Sequence, residues 1–268
     1  MRTKLKGWYL LRIIYLILLF IIINVYLVFR GLYNILGLGN LLLLQWNFLS
    51  VSILLLIFAL INYLIARRYD PDQWKLYTFW LLIAMLFGTL GDFLLAGVLP
   101  VPIDTFIFGV LAFALGQVFY LVTLRHLSPL LINPISGARE SGEKSSRLNL
   151  RNLLIWLVFI IVCAALFMLF MFNPTLLELS IGGLIYFLLF ASVLAFAVTK
   201  LFDNYPILFK LSLVLGFALF YISDVILVWN RFNFPLLYAS LFISITYLLG
   251  QFFVQLTPLL KSDSEQSS

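Results

Sequence analysis

The chain is poor in the residues from which most active sites are built. Its 268 residues include one cysteine, Cys163, and one histidine, His126. No disulfide can form within the chain, and no zinc site of three or four Cys/His ligands can be assembled. A haem would have a single candidate ligand. Charge is also scarce: 10% of residues are Asp, Glu, Lys or Arg, against about 25% in an ordinary soluble domain. With 64% of the chain in the hydrophobic set and a mean hydropathy of +1.11, a soluble globular enzyme, a disordered chain and a secreted disulfide scaffold are all excluded.

What the chain has instead is long apolar runs. A hydrocarbon core of ~30 Å needs about 20 apolar residues per helical crossing. Runs bounded by charge, Pro or Gly clusters predict eight helices, at about 8–29, 48–66, 77–98, 105–124, 153–173, 176–198, 207–229 and 234–256. The predicted fold is an all-α polytopic membrane protein, with residues 1–257 as one integral membrane domain. The basic then apolar start outlasts a signal-peptide core and reads as a retained first span. Residues 30–47, broken by Gly37, Gly39 and Asn40, read as an interfacial or re-entrant segment. GLGN at 37–40 is not a phosphate loop, since no strand precedes it. Residues 133–152 form a hydrophilic Gly/Ser-rich linker, and 258–268 a disordered tail.

The net charge of +6 comes from 17 basic against 11 acidic residues. Under the predicted topology every basic residue except Arg30 and Arg231 falls on one side. That bias expects both termini, and the linker, in the cytoplasm; in a bacterium the membrane would be the inner one. Because the charge is spread over every inner segment, it carries no message about nucleic acid as a partner.

Polar residues within the spans are expensive and therefore informative. Asp92 lies in the third span (LGD) and Asp224 in the seventh (YISD), 132 residues apart. The following span of each carries a Gly-Gln pair: GQVF with Gln117 and GQFF with Gln251, 134 residues apart. The pattern suggests a tandem repeat of four spans, halves about 8–124 and 153–256, related by an axis along the membrane normal. Helical spacing sets Gly88, Gly91 and Asp92 on one face, and Ser223 and Asp224 on another. Tyr120 continues the face of Gln117; Ser240, Ser244 and Tyr247 continue that of Gln251. Counting ~1.5 Å per residue from the inner ends puts Asp92 roughly 22 Å deep and Asp224 roughly 26 Å deep, so the two could share one cavity.

An Asp within a span costs about 2.5–3.5 kcal/mol on the insertion scale. Two at one depth point to a working pair: a carboxylic acid beside a carboxylate, able to act as general acid and base or as a proton relay. The bland alternative is that each is protonated and bonds a neighbouring helix. Gln117 and Gln251 fit interhelical bonding as well as substrate contact. Tyr120, Tyr186 and Tyr247 are seam aromatics with hydroxyls that could face the same cavity. Glu178, at the outer start of the sixth span, reads as solvated by headgroups. His126 ends the fourth span at the cytoplasmic interface, too far from either Asp for a triad.

These elements resemble a known family. LGD at 90–92, FALGQVFYL at 113–121, YFLLFASVLAFA at 186–197, LFYISDVIL at 219–227 and ITYLLGQFFV at 245–254 are similar to the YhhN family of eight-span membrane proteins, which includes lysoplasmalogenases. The resemblance implies hydrolysis of the vinyl ether of a lysoplasmalogen, a lysophospholipid, to a fatty aldehyde and a glycerophospho-head group. It implies Asp92 and Asp224 as the catalytic carboxylates, with no cofactor or metal; it leaves open which of the two is the acid, and Asp92 is the first choice. Gln117, Tyr120, Tyr186, Ser223, Tyr247 and Gln251 would line the substrate. One position departs: the family usually carries His where this chain has Gln117. A proton-coupled transporter, or a lipid-binding protein without catalysis, is the rival expectation.

Overall fold

The structure is a computed structural model that describes residues 2–36, 41–98, 105–128, 132–134 and 146–261. Its helices are α1 (Arg2–Leu36), α2 (Leu41–Tyr69), α3 (Asp72–Leu95), α4 (Thr105–Leu127), α5 (Leu150–Phe170), α6 (Leu177–Thr199), α7 (Ile207–Phe232) and α8 (Ala239–Leu256). All eight are long and apolar enough to cross a membrane, which makes the chain an integral multi-pass membrane protein. In lipid a backbone must satisfy its own hydrogen bonds, so each crossing is a continuous helix.

Local signals set several helix starts. Pro71 and Pro206 stand directly before α3 and α7 in extended conformation. The Asn149 side chain accepts from the Asn152 amide at 3.2 Å and caps α5. α3 begins at Asp72, five residues before the predicted start, because Asp72 and Lys75 form an exposed first turn with an ion pair of 2.8 Å. Charge marks the edge of the apolar run there, not the end of the helix.

Other expectations change as well. Residues 30–47 do not form a separate segment: Arg30–Leu36 continue α1 and Leu41–Asn47 belong to α2, and only 37–40 lie outside the described residues. The linker is also shorter than predicted. β1 (Ile132–Pro134) pairs antiparallel with β2 (Ser146–Leu148), Ile132 opposite Leu148, and Leu150–Asn152 already belong to α5. This pairing satisfies backbone groups that a wholly irregular linker would leave to water. The tail expected from 258 starts later, since Thr257–Leu259 form a short 3-10 helix and the Lys261 side chain is buried against Asp70; residues 135–145 and 262–268 lie outside the described residues.

The principal contacts run α2–α3–α4–α6–α7–α8 and back to α2, a closed ring of six helices. α1 packs outside the ring against α2 and α8, and α5 outside against α6. Their outer faces carry exposed side chains such as Ile17, Val28, Ile161 and Leu169, the surface that lipid would cover. The ring's interior is aromatic, with Phe190, Phe217, Phe220 and Tyr247 buried.

One end of the bundle gathers the basic side chains. There the buried Lys200 ammonium bonds Ser128 and stands 3.8 Å from the Asp203 carboxylate. Ser128 donates to Asp203 at 2.6 Å, and Tyr205 donates to the Leu127 carbonyl at 2.6 Å. Asp70 pairs with Lys261, whose ammonium lies over the Trp74 ring. These contacts tie the basic ends of α3, α4, α7 and α8 together, while the polar cavity lies at the opposite end.

Candidate functional site

Asp92 lies about 30 Å along α3 from Asp72, at ~1.5 Å per residue, and one turn before the helix ends. Asp224 lies about 26 Å along α7 from its start. Both are almost fully buried, at 4% and 5% exposure. Buried carboxyls need hydrogen-bond partners, and each has them. Asp92 Oδ2 accepts from Ser52 Oγ at 2.5 Å and from the Tyr247 hydroxyl at 2.9 Å. Thr89 Oγ1 stands 3.3 Å from the same Ser52 oxygen. Asp224 Oδ2 accepts from the Tyr186 hydroxyl.

The two carboxyls share one cavity. It holds about 270 Å³ and is lined by Asp92 and Asp224 together with Arg30, Gln45, Ser223, Ser240, Ser244 and Tyr247. A second cavity of about 850 Å³ lies between α4, α6 and α7. Its walls are apolar (Ile107, Val110, Leu111, Leu179, Ile185, Leu189), with the exposed Glu178 on its lining and Tyr186 and Asp224 deeper in. Phe113, Asp224 and Leu227 line both cavities, so a polar chamber meets an apolar one at a carboxyl group.

Glycine makes that junction. A Cβ on Gly91 would come within 2.7 Å of the Phe113 ring, so the ring occupies space that only glycine leaves. Phe113 then stands edge-on to Tyr247 and Phe220, at 5.9 and 6.2 Å between centroids, the geometry that aromatic pairs prefer.

Of the residues singled out in the sequence, Asp92, Asp224, Ser223 and Tyr247 line the smaller cavity, and Tyr186 the larger one with Asp224. Ser223 Oγ donates to the Ile243 carbonyl at 3.2 Å. Gln117, Tyr120 and Gln251 line neither cavity. They form a buried layer toward the basic end, where Tyr120 donates to Gln251 Oε1 at 2.7 Å. Gln117 is fully buried, and neither of its side-chain polar atoms has a hydrogen-bond partner of acceptable geometry among the described residues; the Tyr186 hydroxyl is its polar neighbour. His126 sits half-buried in the last turn of α4, at the other end of that helix from the cavities.

Sequence reasoning missed Ser52, Arg30 and Gln45. A single serine in an apolar helix usually bonds its own backbone, so Ser52 gave no signal; a same-depth search opposite each Asp could have found it. Gln45 fell in the segment read as re-entrant, and Arg30 entered only the charge tally. Among the described residues no group of three or more His, Cys, Asp or Glu is placed to hold a metal ion.

A ring of membrane-crossing helices around two buried carboxyls defines a multi-pass membrane protein with a polar site at one end. The model of the YhhN family matches residues 44–257, a span that contains both aspartates and most of the ring. The chain belongs to the YhhN family. No curated protein and no solved structure gives a significant match.

Proposed function

We propose that the protein is a lysoplasmalogenase-type hydrolase, cleaving the vinyl ether of a lysophospholipid by carboxylate acid–base chemistry. The observation that carries this reading is the meeting of an apolar chamber and a polar one at Asp224. That is the shape of an amphiphile with one hydrocarbon chain, reacting where chain joins glycerol. The family's association with lysoplasmalogenase supports it.

The chemistry needs an acid, an anion and water. A proton is transferred to the alkene carbon remote from the ether oxygen, giving an oxocarbenium ion. Water adds to the carbon bearing oxygen and gives up a proton, forming a hemiacetal. The hemiacetal collapses: its hydroxyl proton leaves, the C–O bond to glycerol breaks, and the glycerol oxygen is protonated. One water is consumed, and a fatty aldehyde and a glycerophospho-head group result. A positioned acid and base typically contribute 10²–10⁴-fold each, and a fixed anion beside the cation adds electrostatic stabilisation.

The hydrogen bonds favour the reverse of the roles expected from sequence. Asp92, with two hydroxyl donors on one oxygen, suits the anion that steadies the cation and orients water. Asp224, with one donor and a position on both cavities, suits the acid. Transport is the rival reading, in which the paired carboxyls would bind protons or cations.

The test is aldehyde release from lysoplasmenyl-ethanolamine by the purified protein. Wild type should release it, and Asp92→Asn and Asp224→Asn should each lower the rate at least about 100-fold. Wild type that releases none, while Asp92→Asn abolishes proton-coupled solute uptake into vesicles, would decide for transport.

A further inference from the structure

Among the described residues, Arg30 is one of two basic residues at the end of the bundle away from the basic cluster. The bland reading is an arginine that snorkels to the headgroup layer. Its surroundings argue for more. Arg30 is 18 residues along α1 from Arg12, about 27 Å at ~1.5 Å per residue, and close to the far end of the candidate span Arg12–Tyr33, within side-chain reach of a headgroup layer. Arg12 is anchored at the other end by a bond to the Asn62 carbonyl at 3.0 Å.

The side chain is also turned inward. Arg30 Nη1 donates to the Tyr26 hydroxyl at 2.6 Å, and the guanidinium lies 5.9 Å from the Tyr26 ring centre. Tyr26 is buried and its hydroxyl neighbours Ser244. Held in this way, Arg30 lines the same 270 Å³ cavity as Asp92 and Asp224, and is the single cationic side chain on its described lining. Arg231, the other basic residue at this end, stacks on Phe106 at 5.1 Å and lines neither cavity.

We infer that Arg30 recognises the phosphate of the substrate's head group and selects phosphate-bearing lysolipids over neutral ones. A guanidinium presents a planar fork that matches phosphate oxygens, which is why Arg serves where bidentate recognition of phosphate matters. An anion drawn into a chamber with two carboxyls needs a cation to oppose them, and this is where one stands. Gln45 and the Ser240 and Ser244 side chains supply neutral hydrogen-bonding groups on the same wall. With phosphate at Arg30 and hydrocarbon in the larger cavity, the short glycerol link between them falls at the carboxyls. Arg30 lies outside residues 44–257, so this selectivity is carried by α1 and not by the matched region.

The inference rests on the lysolipid reading of the site, but its test does not depend on turnover. The full-length protein in detergent is titrated calorimetrically with three probes. These are 1-O-hexadecyl-lysophosphoethanolamine, which has no vinyl bond to cleave, 1-O-hexadecylglycerol, which has no phosphate, and inorganic phosphate. Wild type should bind the phospholipid about 10- to 100-fold more tightly than the glycerol, the worth of charge-assisted hydrogen bonds. Arg30→Gln should erase that difference without changing affinity for the glycerol, Arg30→Lys should restore part of it, and Arg231→Gln should keep it. In turnover, Arg30→Gln should raise KM for lysoplasmenyl-ethanolamine and leave kcat within a few-fold.

Equal wild-type affinity for both lipids overturns the inference, as does an Arg30→Gln that weakens both alike. Inorganic phosphate binding as tightly as the phospholipid, and dependent on Arg30, overturns the lipid assignment in favour of free phosphate. Aldehyde release insensitive to Arg30→Gln leaves the hydrolase reading standing without this residue. Arg30-dependent lipid binding with no aldehyde release does the opposite.

Discussion

Tyr186 donates to Asp224, and Ser52 is one of the two hydroxyls, with Tyr247, that donate to Asp92. Removing either donor keeps the carboxyl but frees its orientation. Tyr186→Phe and Ser52→Ala should each cost about 10- to 100-fold in kcat/KM, the worth of a hydrogen bond to a charged or polarised group. The aldehyde assay measures this, and unchanged thermal unfolding would show that the loss is local. Gln117 makes the opposite case. Both its polar side-chain atoms lack partners of acceptable geometry among the described residues, and it lines neither cavity. Leucine is close in size and leaves no buried donor unmet, so Gln117→Leu should unfold at an equal or higher temperature and retain aldehyde release within a few-fold. A loss as large as that of Asp92→Asn would instead make position 117 part of the acid–base machinery. The sequence exposed Asp92, Asp224 and Gln117 because such residues are rare within an apolar run. Ser52 and Arg30 carry no such signal of their own, since their roles depend on which helices α2 and α1 face.

Close helix crossings build the ring. A Cβ on Gly250 would stand 2.8 Å from both the Gly216 carbonyl oxygen and the Phe220 nitrogen, and one on Gly216 2.9 Å from the Gly250 carbonyl. The α7 and α8 backbones are therefore in direct contact, the approach that small residues permit between membrane helices. A gentler version lies between α3 and α4, where a Cβ on Gly116 would sit 3.3 Å from the Ala84 carbonyl. Gly250→Ala must push backbone against backbone and should destabilise by about 1–3 kcal/mol. Gly182→Ala, with nothing within 4 Å of the added atom, should be neutral or stabilise by about 0.5–1 kcal/mol. Thermal unfolding of the two variants in one detergent makes the comparison. Helix number and rough bounds were readable because a bilayer demands about 20 apolar residues per crossing. The ends were less so, as at Asp72 and at residues 30–36 and 41–47, since a helix can run past the apolar run through charged and polar residues.

At the scale of the whole chain the ring has a visible order. α2, α3 and α4 occupy one side, α6, α7 and α8 the other, with α1 and α5 both outside. Ser52 of α2 bonds Asp92 of α3, and Tyr186 of α6 bonds Asp224 of α7. Ser52 and Tyr186 are 134 residues apart, and the Ala84–Gly116 and Gly216–Gly250 crossings are offset by 132 and 134. We propose that these halves descend from a duplicated four-helix unit, with one carboxyl contributed by each. Four spans per unit give both halves the same direction through the membrane, which makes orientation a single choice. The surplus of Lys and Arg at the basic end argues for that end in the cytoplasm, and hence for a site that opens to the outer leaflet. The sole cysteine, Cys163, allows a clean test once replaced by serine. Arg67→Cys lies exposed at the basic end, and Leu237→Cys at the opposite end, where Leu237 is 77% exposed. In intact cells a membrane-impermeant maleimide should label Leu237→Cys and spare Arg67→Cys; inside-out vesicles should reverse the result. The converse labelling would turn the protein over and place the carboxyl pair against the inner leaflet. With the expected orientation, lysoplasmalogen added outside cells should be cleaved without first crossing the membrane, and Asp224→Asn should stop that cleavage.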